Sequence, residues 1–237
     1  MSRATQHLVL LLVGLSTAVM LYKGSYLNYV RPALLPWLII AAAVLVVLGL
    51  TGVVFDLRDL RDVTPDEHGH AHQTWLTWVL LIPIALVAFV VPPPLDARGT
   101  SPPPVAVKAP APRPFPALPA GPAPDVSLPE AVMRAAADSE HSLDGRTITL
   151  TGFTVAHAGR VDLGRVVIVC CAADAQLARV HLAGPAAVTV AGQPDDTWMR
   201  VTGKIQPGSS HADDGFVPTM AVTDAVRIDK PKNAYAY

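Results

Sequence analysis

Apolar and polar positions divide the chain into three zones. Leu8 to Tyr22 carries no charge, and the apolar stretch continues to Val30 if Lys23 extends its ammonium to an interface. Ala33 to Phe55 is a second run of 23 uncharged residues. At about 1.5 Å per residue it crosses a hydrocarbon layer of about 30 Å with some tilt. Trp75 to Val91 is a third run of 17 residues, with Pro83 inside it. The pattern predicts three membrane helices, at about 8–30, 33–55 and 75–91, within a membrane region 1–91. Tyr22, Tyr26, Tyr29, Trp37, Trp75 and Trp78 gather at the run ends, where amphipathic rings suit headgroups. The competing reading of the first run is a signal peptide, with Arg3 ahead of it and Ser16-Thr17-Ala18 as a small-residue cleavage site. The long apolar continuation and the tyrosines count against it.

Between Pro92 and Pro124 stand 13 of the 23 prolines. Residues 92–126 therefore read as an extended, semi-rigid spacer without the backbone donors for helix or sheet. From residue 127 to 237 the periodicity changes. Ser127-Leu128-Pro129-Glu130 is a helix start, with serine as cap, proline in the first turn and glutamate closing a capping box, and the helix runs to about Asp138. Strand character follows over Thr147–Val155, Arg165–Ala172, Leu177–Leu182, Trp198–Ile205 and Met220–Ile228. One helix and five short strands predict a small, mostly β domain, an OB-like barrel or a sandwich.

Composition sharpens this picture. Of 237 residues, 51% are hydrophobic and 16% charged, against about 25% charged in soluble domains. The mean hydropathy is +0.38, so part of the chain belongs in lipid. From Asp125 onward there are ten basic and thirteen acidic residues, a net −3. That domain has neither the basic groove nor the stacking platform that single-stranded nucleic acid requires. Basic residues flank the spans almost evenly. Arg58 and Arg61, directly after the second run, favour a cytoplasmic amino terminus and an extracytoplasmic carboxy-terminal domain.

Two segments carry candidate chemistry. Asp66-Glu67-His68-Gly69-His70-Ala71-His72, between the second and third runs, sets imidazoles at every second position beside two carboxylates. His68, His70 and His72 can close on one borderline metal ion such as zinc, or form a solvated loop that binds metal weakly. The chain's two thiols are adjacent, in Val169-Cys170-Cys171-Ala172-Ala173-Asp174. Three readings stand: a half-buried structural pair, a metal site made by Cys170 and Cys171 with Asp174 or a nearby histidine, and a redox pair. Strand alternation puts Cys170 on the face of Val166 and Ile168, and predicts Cys171 to be the more accessible thiol. His141, His157, His181 and His211 read individually as surface or strand histidines. No phosphate loop, nucleophile elbow or His-Glu-x-x-His motif occurs, so nothing requires an enzyme.

Cys170-Cys171-Ala172-Ala173-Asp174-Ala175, Thr197-Trp198-Met199-Arg200-Val201-Thr202-Gly203-Lys204 and the ending Pro231-Lys232-Asn233-Ala234-Tyr235-Ala236-Tyr237 resemble the YcgQ-like family of bacterial permease subunits. The resemblance implies a multi-pass protein of the bacterial cell membrane. It would act as the accessory, non-enzymatic part of a two-component complex with a separate multi-span permease, in metal homeostasis with zinc as the candidate ion. The departures are a shorter His-rich loop and Ala234 where proline is common. Three spans without an intramembrane charged pair offer no ion route of their own. A membrane-tethered thiol protein using Cys170 and Cys171 is the alternative from another class.

Overall fold

The computed structural model describes residues 3–62, 110–157, 159–231 and 233–236. They belong to two compact units, divided after Pro94.

In the first unit, α1 (Arg3–Tyr22) and α2 (Leu35–Asp62) form an antiparallel hairpin joined by two short 3-10 turns. Both helices are long enough and apolar enough to cross a bilayer. Most of their surface is exposed, Trp37, Ile40, Val47 and Phe55 included, which is compatible with membrane association. Small residues let the helices approach. A Cβ on Gly49 would meet the Leu11 backbone, and one on Gly14 would meet Val46. The first helix stops earlier than the apolar run suggests. Gly24 takes φ 71°, a left-handed position that ends a helix. His7 Nδ1 lies 2.8 Å from Asp56 Oδ2, each one residue outside the apolar runs from Leu8 and to Phe55, joining the start of α1 to the last turns of α2. The third apolar run lies outside the described residues.

The second unit is a mixed five-stranded sheet made of β1 (Ile148–His157), β2 (Arg160–Val167), β3 (Gln176–Ala183), β4 (Trp198–Ile205) and β5 (Thr219–Arg227). The order is β1-β2-β3-β5-β4, and β4 pairs back onto β1. Only β3 and β5 run parallel; the other pairings are antiparallel. Alternation gives the strands two apolar faces. Ile148, Leu150, Leu163, Val180, Met199, Val201, Met220 and Val222 form the main core with Leu128 and Ala131. The opposite face carries a second cluster of Phe153, Val155, Val166, Ile168 and Trp198, closed over by Tyr235.

That cover comes from the end of the chain. Ile168 N donates to Ala236 O at 3.0 Å and Ala236 N to Val166 O at 2.8 Å, so the last residues bridge to β2 where β1 no longer pairs with it. Arg165 strengthens the closure. Its guanidinium lies over Trp198 at 5.1 Å and donates to Asn233 O at 2.8 Å.

α3 (Leu128–Ala137) starts as expected, with Ser127 Oγ accepting from Glu130 N at 3.3 Å. The other half of the predicted capping box is replaced: Glu130 Oε1 takes Arg134 Nε and Nη2 at 2.9 and 2.7 Å. Buried Arg134 also donates to Ser142 Oγ and to Pro116 O. Residues 110–126, read from sequence as spacer, therefore lie along this unit. Arg113 exchanges backbone bonds with Ala137 and Ser139, Val126 and Pro124 bond Thr149, and Leu118 packs on the main core. Proline removes donors but leaves every carbonyl, and it is carbonyls that Arg134 and Thr149 use here. A short helix, α4 (Ala187–Ala191), lies between β3 and β4 and buries Val190.

Candidate functional site

β2 ends at Val167, earlier than the apolar run Val166–Cys171 suggests, and Asp174 shows why. Its Oδ1 accepts Val169 N at 2.8 Å, and its Oδ2 accepts Cys170 N at 2.8 Å and Cys171 N at 3.2 Å. Three successive amides that would otherwise extend a ladder are turned onto one carboxylate, and Ala172–Asp174 closes as a 3-10 turn. On the other side, buried Ile168 is pinned by Ala236. The loop is thus fixed at both ends.

This turn places Cys170 Sγ 3.8 Å from Cys171 Sγ, with one ligand atom each from Cys170, Cys171 and Asp174 all within 4.8 Å of one another. Both cysteines are free thiols, Cys170 exposed and Cys171 half-buried. The accessibility order expected from strand alternation is therefore reversed. Alternation holds only while the backbone is extended, and the Asp174 turn ends that regime before Cys170. Hydrogen bonding to Asp174 pushes the Cys170 thiol up to about 11, with contributions from Cys171 and desolvation. The same bond and the three amides hold Asp174 down at about 2, so it is a carboxylate throughout the physiological range. The loop therefore presents a fixed anion beside a protonated thiol. A thiol held protonated is a poor nucleophile and a poor metal ligand alike, because the thiolate is the reactive form, so capture of a cation there has to release the proton. His68, His70 and His72 lie outside the described residues.

A second cluster escaped the sequence reading. Asp162 on β2 and His181 on β3 are register partners, on the face opposite the main core. Asp162 is fully buried. Its Oδ1 lies 2.6 Å from His181 Nδ1, and its Oδ2 lies 3.3 Å from Arg179 Nη1. His181 Nε2 lies 2.6 Å from Oδ2 of Asp214, in the 3-10 turn between β4 and β5. A neutral imidazole donates through one nitrogen only, so both bonds need a second proton, on the ring or on one carboxyl. The bracket ties the β4–β5 connection to the sheet. Asp162, His181 and Asp214 are too far apart along the chain for spacing to reveal them; a register prediction pairing β2 with β3 would have shown half of the cluster.

Residues 130–237 match the family model described as the DUF1980 C-terminal domain. The match spans most of α3, the whole sheet, the Cys170–Asp174 loop and the closing strap, and is consistent with the YcgQ-like resemblance. No curated protein and no solved structure matches the chain.

Proposed function

We propose that this chain is the accessory, non-enzymatic subunit of a two-component permease complex in a bacterial cell membrane. It has three spans and an extracytoplasmic, OB-type domain that binds a ligand or the permease, in the service of metal homeostasis, with zinc as the candidate ion. The observation that carries the reading is the Cys170–Asp174 loop, which one carboxylate folds so that an exposed thiol stands beside a half-buried one on an otherwise well-closed domain. The exposed apolar faces of α1 and α2 support residence in lipid beside a larger partner, and the DUF1980 C-terminal match supports the family reading. The strand order with a short helix between β3 and β4 supports the OB-type assignment.

The alternative, a membrane-tethered redox protein, is favoured by one observation, the 3.8 Å between the sulfurs. The protonated state of Cys170 argues against it. The test is purification of the full chain from its native membranes in mild detergent. The proposal expects a multi-span permease in fixed ratio, retained by both Cys170→Ser and Cys171→Ser. A chain that purifies alone overturns it. A complex whose function is lost on replacing either thiol, together with a Cys170–Cys171 disulfide in the purified protein, establishes the redox reading instead.

A further inference from the structure

We infer that Cys170 Sγ, Cys171 Sγ and Asp174 Oδ1 form three corners of a tetrahedral site for a zinc-like divalent cation, whose fourth corner is left for water or a donor from the partner. This rests on the reading of the loop as the domain's contact point and deepens it by naming the ligand atoms and their geometry.

The sulfur separation decides the geometry. With metal–sulfur bonds of about 2.3 Å, sulfurs 3.8 Å apart subtend about 111° at the metal, close to the tetrahedral angle. A two-coordinate linear ion with bonds of that length would need about 4.6 Å. A disulfide would need about 2.0 Å, with the strain of bridging adjacent residues. The pair therefore stands at the spacing of one tetrahedral edge, without rearrangement.

The carboxylate supplies the third corner by the same count of lone pairs that folds the loop. Oδ2 accepts two amides and Oδ1 one, and the Cys170 thiol that also bonds this carboxylate gives up its proton on metal binding, which leaves a lone pair for the metal. The amides also fix the carboxylate in place, as outer hydrogen bonds orient ligands in metal sites generally. Binding is an exchange of charges with no redox step. Each thiol gives up its proton to solvent, two metal–sulfur bonds form, and one metal–oxygen bond forms to the existing carboxylate. Two thiolates, one carboxylate and a divalent ion leave a net charge of −1. Structural zinc sites are closed by four protein ligands, whereas three leave a position open for water or another donor. Among the described residues no further histidine, cysteine or carboxylate joins this group. The exposed face of Cys170 leaves the open corner toward solvent, where a donor of another protein can reach it.

Cobalt(II) is the probe. It is added to the full-length, reduced chain in detergent with His68, His70 and His72 replaced by alanine, so that the His-rich loop does not contribute. The expected result is one cobalt per chain, with thiolate-to-metal charge transfer in the near ultraviolet, the visible bands of tetrahedral cobalt, and displacement by zinc. Cys170→Ser and Cys171→Ser should each weaken binding and reduce the charge-transfer band. Asp174→Asn should weaken binding about tenfold or more. Because Cys170 is exposed and serine keeps a hydroxyl donor for Asp174, the melting temperature of Cys170→Ser at neutral pH should be unchanged, which separates loss of a ligand from loss of fold. Absence of charge transfer in the His-free background, or bands that survive either serine variant, overturns the inference. A chain that lacks the bands yet retains its permease loses only this inference, and a chain that shows them but purifies alone loses only the assembly.

Discussion

The last residues of the chain should contribute as much to folding as a buried core position, and Tyr235→Ala measures it. Tyr235 is 2% exposed and closes the second apolar cluster over Phe153, Val166, Ile168 and Trp198. Truncating a buried aromatic to alanine costs about 3–5 kcal/mol, from lost transfer energy and the cavity left behind. For a unit of this size, about 4 °C of melting temperature accompanies each kcal/mol, so a fall of roughly 12–20 °C is expected. The assay is near-ultraviolet circular dichroism of the full chain in detergent during heating, with Trp198 in the affected cluster as reporter. Deleting residues 234–237 should cost more, because it also removes the paired backbone bonds of Ala236 with Val166 and Ile168. A second readout follows from position. Ile168 directly precedes the Cys170–Asp174 loop, so freeing it should raise alkylation of half-buried Cys171 toward that of Cys170. A melting shift below about 3 °C with unchanged labelling would refute the reasoning, and would mean that the strap lies on the sheet without stabilising it.

Further outcomes are open to measurement. Alkylation of Cys170 should keep rising until about pH 11, and Asp174→Asn should bring that midpoint back toward the ordinary 9.0; mass-spectrometric mapping of labelled peptides across pH checks both. The sign for stability follows from the directions. The Cys170 contribution is complete below pH 9.0 and lost as pH rises through about 11, whereas the Asp174 contribution is complete above 3.8 and lost as pH falls through about 2. Chemical denaturation at pH 2, 5, 9 and 11 in the Asp174→Asn background should show both losses reduced. His181→Ala should destabilise by about 3–5 kcal/mol, because it strips a partner from fully buried Asp162. Asp214→Ala, whose carboxylate is 40% exposed, should cost no more than about 1 kcal/mol in the same denaturation assay. Gly203→Ala should fail to reach wild-type soluble yield, since a Cβ there would strike the Ala221 carbonyl at the irregularity between β4 and β5.

How legible the fold was depended on whether a strand's polar positions met water. β4 at Trp198–Ile205 matches its sequence reading end to end, because Met199, Val201, Gly203 and Ile205 face inward while Arg200 and Lys204 are exposed. β1, β3 and β5 differ by one or two residues at their ends. β2 differs by five. Arg160–Gly164 falls outside the predicted strand, yet Asp162 within it is paired across the sheet with His181, which the Asp214 turn also bonds. Its downstream run Val166–Cys171 reads as strand because β-branched residues dominate, yet its amides have gone to Asp174. In both cases a distant or non-apolar partner overrode local preference.

The same distinction separates the two side-chain clusters. Cys170, Cys171 and Asp174 lie within five residues, so their meeting is a local event that a turn can guarantee. What sequence alone missed there was the direction of the thiols, because an Asp side chain competing for backbone amides ends strand alternation wherever it reaches. Asp162, His181 and Asp214 meet only after β2 has paired with β3 and the β4–β5 connection has folded over both. The Cys170–Asp174 loop is held on one side by its own carboxylate and on the other by Ile168 bonding to Ala236. Its local geometry is set by Asp174 within the loop, and its attachment to the sheet by Ala236, far away in sequence. The 3.8 Å between the sulfurs thus depends on a short-range turn and on a long-range backbone pairing together.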